Sequence, residues 1–453
     1  MSSNGSTGTP PLWRLGLVLA VVALATGAWL AHAYINPRVQ AAVGVVCFLG
    51  LCAVFSRDLR LVNWRVVGTG LLAQFVLAVS IIHVGPVKRV FSWAGDVISK
   101  FLEFSNAGSE FVFGALAKHD VAAKAFGQNE GFIFAVRALP TVIFVSAFFS
   151  VMYHLRILQG IVWVFARLML LLFGKYGVSG AEALSGTANV FMGQTEAPLI
   201  IKPYIARMTN SELLAVMIGG MATISGGVMA VYIGMNADAT AILATSVMAA
   251  PCGLYLSKLL LPETEVPETR GTVTMASERP HANVVDAAAG GASDGMMLVI
   301  NIIAMLIAFI AGIAMLNYLL AQVHPQLSLE LIFSKIFAPF AYLMGVPAED
   351  APRVGELLGK KLVLNEFVAF KDLTDTHFNP TTKEVKGIQP RSYQLTAYAL
   401  TGFANFASIG IQLGGIGAMA PTRRADLAKL GMLALLGGFM ATLINAAIAG
   451  LVM

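Results

Sequence analysis

Long apolar stretches alternate with short polar loops along most of the chain, and nine are long enough to cross a bilayer as helices: about 12–35, 39–56, 66–84, 132–154, 211–235, 240–261, 294–321, 392–417 and 426–451. A hydrocarbon core about 30 Å thick takes roughly 20 apolar residues per helix. The pattern predicts an all-α polytopic membrane protein. Nine crossings place the two termini on opposite sides. Arg57, Arg60 and Arg65 share one short loop, and Arg423, Arg424 and Lys429 crowd the start of the last stretch. Loops rich in Lys and Arg face the cytoplasm, and counting from either loop puts the N-terminus inside and the C-terminus outside.

Other stretches break this rhythm. Residues 90–126 and 156–173 are expected to lie at the membrane interface or to pack along the bundle, the first because Asp96, Lys100 and Glu103 alternate with Trp93, Val97, Ile98 and Phe101. Residues 176–207 and about 348–373 are each a pair of half-length apolar segments interrupted by Gly, Pro, Gln, Asn or Glu. As full crossings they would put the loop charges on the wrong sides, so each is expected to be a re-entrant hairpin. Irregular backbone at membrane depth is tolerated where it lines a cavity. Each hairpin is followed by a Gly-rich stretch expected to break its helix: Gly219 to Gly227 after the first, Gly402 to Gly410 after the second. Two hairpins entering from opposite sides, each with a broken helix, point to an inverted repeat with a binding site near the midplane.

Composition narrows the class. Of 453 residues, 57% are hydrophobic and 12% charged, and the mean hydropathy is +0.75, outside the range of a soluble domain. The small excess of 30 Lys and Arg over 25 Asp and Glu lies in short loops, so no nucleic acid partner is expected. Cys47, Cys52 and Cys252 lack the spacing of a metal cluster or disulfide framework. Met1 to Pro10 reads as a disordered tail. The apolar run after Arg14 is too long for a cleaved signal peptide and is expected to remain as a helix.

Against this apolar background, Glu196 in Gly193-Gln194-Thr195-Glu196-Ala197-Pro198-Leu199 and Glu366 in Leu364-Asn365-Glu366-Phe367-Val368-Ala369 stand out. An intramembrane carboxylate costs about 2.5–3.5 kcal/mol on insertion scales and implies an ion, a polar ligand or a water-filled cavity beside it. Gln194, Thr195 and Glu196 together donate and accept, which suits the edge of a neutral heterocycle. Glu366, with Asn405 and Ser408 of the later broken helix, is rich in acceptors, as vicinal hydroxyls require. A sugar joined to a base fits both. The alternatives are structural: ion pairs of the two carboxylates with Arg137, Lys202, Lys360 or Lys361, and polar residues that simply join helices. Gly355 to Lys361 lacks the length and the Ser/Thr of a phosphate-binding loop, and no His-Glu-x-x-His is present, so neither ATP-driven transport nor a membrane metalloprotease is supported.

These motifs, together with Gly402-Phe403-Ala404-Asn405-Phe406-Ala407-Ser408, Ala250 to Leu254, Asn283 to Gly291 and Gly415 to Pro421, resemble the concentrative nucleoside transporter family of bacterial type, from about residue 40 to the end. The resemblance implies a homotrimer in the plasma membrane (the bacterial inner membrane), not an enzyme, with a transport domain moving like an elevator within a scaffold. The implied division is a tail at 1–11; scaffold over 12–154, including an added first helix at 12–35; a first transport half over 156–261; a cytoplasmic linker over 262–292; a scaffold or trimer helix and an interfacial helix over 293–345; a second transport half over 348–417; and a last span at 426–451. By resemblance, Gln194, Thr195 and Glu196 hydrogen-bond the nucleobase, Val228 packs on it, Phe403 lines the pocket, and Glu366, Asn405 and Ser408 hold the ribose. Sodium maps onto Asn189, Met192, Thr223 and Ile224, an oxygen set suited to a hard cation; no organic cofactor is implied. Thr223 stands where the family has a small hydroxyl, so proton coupling stays open beside sodium. A uniporter or channel without ion linkage, and a membrane enzyme, are the readings of other classes. Uridine and related pyrimidine nucleosides are the expected substrates, with adenosine a further candidate.

Overall fold

The computed structural model describes residues 8–126, 133–137, 139–174, 177–235, 237–272, 281–377 and 387–453. All of its named elements are helical. Among the described residues, seven helices are long and apolar enough to cross a membrane, or up to eight if one bent pair counts as a single span. Nine were expected. The difference lies in segments that divide: 392–417 forms Pro390–Leu400 and Phe406–Met419, and only the second is an apolar helix, too short to cross alone.

Near the N-terminus, residues 1–7 of the expected tail lie outside the described residues. Thr9 is already fixed, its hydroxyl donating to Ser56 O at 3.1 Å, and helix Pro11–Leu30 starts on a favourable proline. This added helix packs on Pro37–Val54. Its C-terminal end is tied by the Tyr342 hydroxyl, which donates to Ala28 O at 2.8 Å. The amphipathic stretch expected at the interface forms helix Gly85–Phe113. Helices Leu139–His154 and Ile157–Phe173 meet at 75°, and the bend is at Arg156, which adopts a left-handed φ of 61°. If the first stands upright, the second runs close to the membrane plane, as expected for 156–173. The stretch expected as a linker is partly helical: a 40-residue helix, Val284–Val323, begins inside it, capped by the Asn283 side chain. At 1.5 Å per residue it is about 60 Å long, twice the hydrocarbon thickness.

Both interrupted regions are hairpins. Hairpin 1 rises as helix Gly180–Ala188, turns without helix through Asn189 to Glu196, and returns through a short 3-10 turn, Ala197–Ile201, and Lys202–Ile205. Hairpin 2 rises as Ala351–Val363, breaks at Leu364 and Asn365, and returns as Glu366–His377. The first broken helix is Asn210–Ala222 and Gly226–Gly234 around Thr223 to Ser225. The second is Pro390–Leu400 and Phe406–Met419 around Thr401 to Asn405.

Local chemistry explains where these elements start. Ser179 and Glu182 form a capping box at the foot of hairpin 1, and Thr209 and Glu212 form another at the foot of the first broken helix. Lys258, on helix Ala239–Leu260, clamps the two feet together, 2.5 Å from Glu182 Oε1 and donating to Ser211 Oγ at 2.9 Å. Hairpin 2 is braced by a half-buried quartet: Arg353 and Lys360 each contact both Glu356 and Asp372 at 2.6–2.7 Å. The two arms are thereby joined by charges that cancel.

Candidate functional site

The two broken helices touch at their gaps. The Phe403 amide donates to Thr223 O at 3.1 Å. Gly402 makes this approach possible, because at φ +145° a Cβ there would come within 3.0 Å of Met221 O. Hairpin 1 meets the first gap through the Gly226 amide, which donates to Phe191 O at 3.1 Å. Gly220 and Gly415 leave the space for its tip: a Cβ at Gly220 would be 2.8 Å from Gln194 Cβ, and one at Gly415 would be 2.5 Å from Thr195 Cγ2. Gln194 and Thr195 therefore reach the first and second broken helices respectively.

A continuous hydrogen-bonded chain crosses the middle. Glu366 accepts from the Tyr232 hydroxyl at 3.1 Å and from Asn405 Nδ2 at 2.8 Å. Asn405 Oδ1 accepts from the Ser408 amide at 2.9 Å, capping the second half-helix. The Ser408 hydroxyl accepts from Gln194 Nε2 at 3.2 Å. Tyr232, Glu366, Asn405, Ser408 and Gln194 are all buried. The residues read as a base cluster and a sugar cluster thus form one assembly, joined at Gln194 and Ser408. Both neighbours of Glu366 donate to it, which suits an ionised carboxylate. Gln194 Oε1 is buried without a partner among the described residues, as is Gln412 Oε1, whose amide donates to Met217 O at 2.9 Å. Orphaned buried acceptors cost about 1–3 kcal/mol each, so these two oxygens favour an incoming donor.

Not every candidate joins this chain. Glu196 is exposed, and its carboxylate folds back to accept the Gly193 amide at 2.5 Å, closing the hairpin turn. Thr195 is half-buried against Gly415. Val228 is buried at the start of the Gly226–Gly234 half-helix, its amide capped by the Ser225 hydroxyl at 3.3 Å. Phe403 is half-buried beside the gap. The ion-pair alternatives fail where they can be seen. Lys360 belongs to the hairpin 2 quartet, and Lys361 donates to Ala399 O and Thr442 Oγ1. The side chain of Arg137 lies outside the described residues.

Asn189, Met192, Thr223 and Ile224 gather where hairpin 1 meets the first gap, and all four are buried. Asn189 lies against Gly219, where a Cβ would be 3.1 Å from its Nδ2. Its Nδ2 donates to Ser185 O at 2.9 Å, while Oδ1 has no partner among the described residues. No described amide donates to the carbonyls of Asn189, Met192 or Ile224. The Thr223 hydroxyl donates to Gly219 O at 2.9 Å and keeps its lone pairs. A group of buried oxygens without donors is a set that a hard cation satisfies.

Tyr232 and Gln412 were not among the sequence candidates. Tyr232 is the one hydroxyl in an apolar half-helix and stacks on Phe370 at 4.3 Å; Gln412 is the one polar side chain within its own apolar half-helix beyond Ser408.

Three family models match the chain: "Na+ dependent nucleoside transporter N-terminus" over residues 43–116, "Nucleoside recognition" over 135–253, and "Na+ dependent nucleoside transporter C-terminus" over 241–450. The chain belongs to the concentrative nucleoside transporter family. It is 41% identical over 415 residues to an uncharacterized transporter of Haemophilus influenzae, covering 90% of this chain and 96% of that protein. It is 41% identical over 456 residues to sodium/nucleoside cotransporter 1 of Mus musculus, covering 97% of this chain and 68% of the mouse protein. Among solved structures, CNTnw in an inward-facing substrate-bound state matches with a TM-score of 0.86 at 37% identity, over 91% of this chain and 97% of that one. CNTnw variants in an outward-facing state match at the same TM-score. This family member is therefore a multi-pass membrane transporter of the sodium-dependent nucleoside class, and not an enzyme.

Proposed function

We propose that this transporter is a symporter that imports uridine and related pyrimidine nucleosides, with adenosine a further candidate, and with sodium as the coupling ion. The observation that carries this reading is the buried chain from Tyr232 through Glu366, Asn405 and Ser408 to Gln194, which joins both hairpins and both broken helices. In it, Gln194 and Thr195 would read the base, with Glu196 holding the turn that presents them and contacting the base as it opens. Val228 and Phe403 would pack against the ring. Glu366, Asn405 and Ser408 would hold the ribose hydroxyls, the carboxylate exchanging the Tyr232 or Asn405 donor for a sugar hydroxyl. Sodium would be held by Asn189, Met192, Thr223 and Ile224, through the carbonyls of Asn189, Met192 and Ile224 and the Asn189 and Thr223 side-chain oxygens.

The ion and the substrate share hairpin 1: Asn189 lies five positions before Gln194. A cation that orders the turn after Asn189 also orders Gln194, so each ligand strengthens the other by the same factor. A tenfold gradient is worth about 1.4 kcal/mol, and 100 mV adds about 2.3 kcal/mol per charge. Together, about 3.7 kcal/mol per ion sustains several-hundred-fold accumulation. We assign the surrounding helices, including 12–35, to a scaffold that trimerises. The hairpins and broken helices form an elevator-type transport domain, the N-terminus lies in the cytoplasm and the C-terminus outside.

Uptake of radiolabelled uridine into proteoliposomes tests the reading. It predicts accumulation under an inward sodium gradient and its loss in Glu366→Gln. Accumulation driven only by protons would transfer the coupling role. Equilibration without accumulation would make the protein a uniporter, and no uptake would overturn the substrate.

A further inference from the structure

Three exposed arginines, Arg14, Arg57 and Arg60, gather at the start of the first helix, Pro11–Leu30. The chain brings them together from segments 42 residues apart: Arg14 Nη2 donates to Ser56 O at 3.2 Å, beside Arg57. Thr9 pins the same loop. Its hydroxyl donates to Ser56 O and accepts from the Leu59 amide, both at 3.1 Å, and its amide donates to Arg57 O at 3.0 Å. The Arg60 guanidinium lies 5.7 Å from the centre of the Trp13 ring, within cation–π range. A fourth exposed arginine, Arg65, follows in the first turn of helix Trp64–His83.

None of the four forms an ion pair among the described residues, whereas the equally exposed Arg207 lies 2.8 Å from Glu268. The carboxylates near them in the chain are otherwise placed. Half-buried Asp58 caps the Arg60 amide at 3.1 Å. The Arg57 amide donates to Leu260 O at 2.9 Å, and on the loop beyond it Glu263 is turned to Lys258 and Thr209, while Glu265 pairs with none of the four. Arginines in a loop beside a span are the ordinary mark of a cytoplasmic end and need no ligand. Two features point to a ligand here. The guanidiniums are held by a pinned backbone and an indole, so little ordering is left for a ligand to impose. They also adjoin exposed apolar side chains, Leu12, Leu15, Leu61 and Trp64. A guanidinium fork matches a phosphate, indoles sit at headgroup level, and a phospholipid supplies the phosphate and the acyl chains together.

We propose that Arg14, Arg57 and Arg60, with the Trp13 ring and flanked by Arg65, form a binding site for the phosphate headgroup of an anionic phospholipid. Its position gives the site a reach into the transport machinery. Leu260, which accepts the Arg57 amide, ends helix Ala239–Leu260, and Lys258 on its last turn clamps the foot of hairpin 1. A headgroup that orders the loop also steadies the helix end on which that hairpin stands. The inference is independent of the nucleoside and sodium assignments.

The test is thermal unfolding and lipid retention, read by native mass spectrometry, of the purified protein titrated with phosphatidylglycerol, phosphatidylcholine or soluble glycerol phosphate. Phosphatidylglycerol should be retained about tenfold or more over phosphatidylcholine and should raise the unfolding temperature. Glycerol phosphate should do neither. The double variant Arg14→Gln, Arg60→Gln should lose about fivefold of that preference for each charge removed, with uridine binding unchanged. High salt should abolish the preference in the natural protein. Equal retention of the two lipids, or a preference that survives in the double variant, overturns the proposal. An equal response to glycerol phosphate overturns it in favour of a free-phosphate site. If the double variant does not fold, the salt series on the natural protein decides, and a preference undiminished by salt overturns the proposal.

Discussion

Glu366 carries most of the site's polarity through two hydrogen bonds, and each can be removed without altering the backbone. Tyr232→Phe deletes one neutral donor; uridine affinity should change by about 1 kcal/mol, within roughly fivefold, with thermal stability little altered. Glu366→Gln deletes the charged acceptor and should weaken uridine by about 1.5–3 kcal/mol, roughly 10- to 150-fold. Isothermal titration of both variants in saturating sodium measures the contrast, and equal losses would mean that the carboxylate acts only as a neutral hydrogen-bond partner. Thr223→Val keeps the volume and the carbonyl but loses a hydroxyl oxygen. It should raise the sodium concentration needed for half-maximal uridine binding several-fold, leaving affinity at saturating sodium close to that of the natural protein. A variant weakened equally at all sodium concentrations would place Thr223 outside the ion set. The carboxylates and the Gln194 turn were legible in the sequence because a charge in an apolar stretch needs a reason. Tyr232 and Gln412 were not, since what gives each its role is a partner 134 residues away for Tyr232 and 195 for Gln412.

At the scale of elements, the hairpins stand on capped feet and one buried clamp. The serine and threonine followed three positions later by glutamate at 179–182 and 209–212 are sequence signatures of helix starts. Their convergence on Lys258 is a property of packing alone. Lys258→Met leaves Glu182 buried without its partner and should destabilise the fold by about 3–5 kcal/mol. Adding Glu182→Gln should recover a substantial part of it, and a thermal unfolding series of single and double variants reads the coupling. Strictly additive losses would show that Lys258 and Glu182 do not act as a pair. The gaps were legible as runs of glycine, but not which glycine matters for approach. Gly220→Ala places a methyl 2.8 Å from Gln194 Cβ. It should impair uridine binding more than Gly219→Ala, whose added Cβ meets the Asn189 amide at 3.1 Å and Gly186 Cα at an ordinary 3.9 Å, while that second change should act first on sodium.

For the whole molecule, hydropathy alone announced a polytopic membrane protein with two interrupted regions, and the fold contains both as hairpins. Span counting was less secure. The segment 392–417 splits at Thr401 to Asn405 into pieces that no longer meet a crossing's length, because the break serves the site and not the bilayer. The stretch expected as a linker, 262–292, overlaps a helix for a related reason: Val284 to Gly291 ends in two glycines, yet Asn283 caps it and Gly291 and Gly295 pack closely on Ser146, Ser150 and Ile143. Both departures occur where tertiary contact overrides local pattern. On the function proposed above, the arrangement that results would place two ligands on one hairpin, with the ion at the base of the turn and the nucleoside at its tip.

The most direct test of that arrangement is equilibrium binding of uridine to the purified protein across a sodium series, with sodium binding measured across a uridine series. The account predicts that saturating sodium strengthens uridine by a factor equal to that by which saturating uridine strengthens sodium, about five- to 150-fold for a coupling of 1–3 kcal/mol. Uridine affinity that is the same in sodium-free buffer would contradict it.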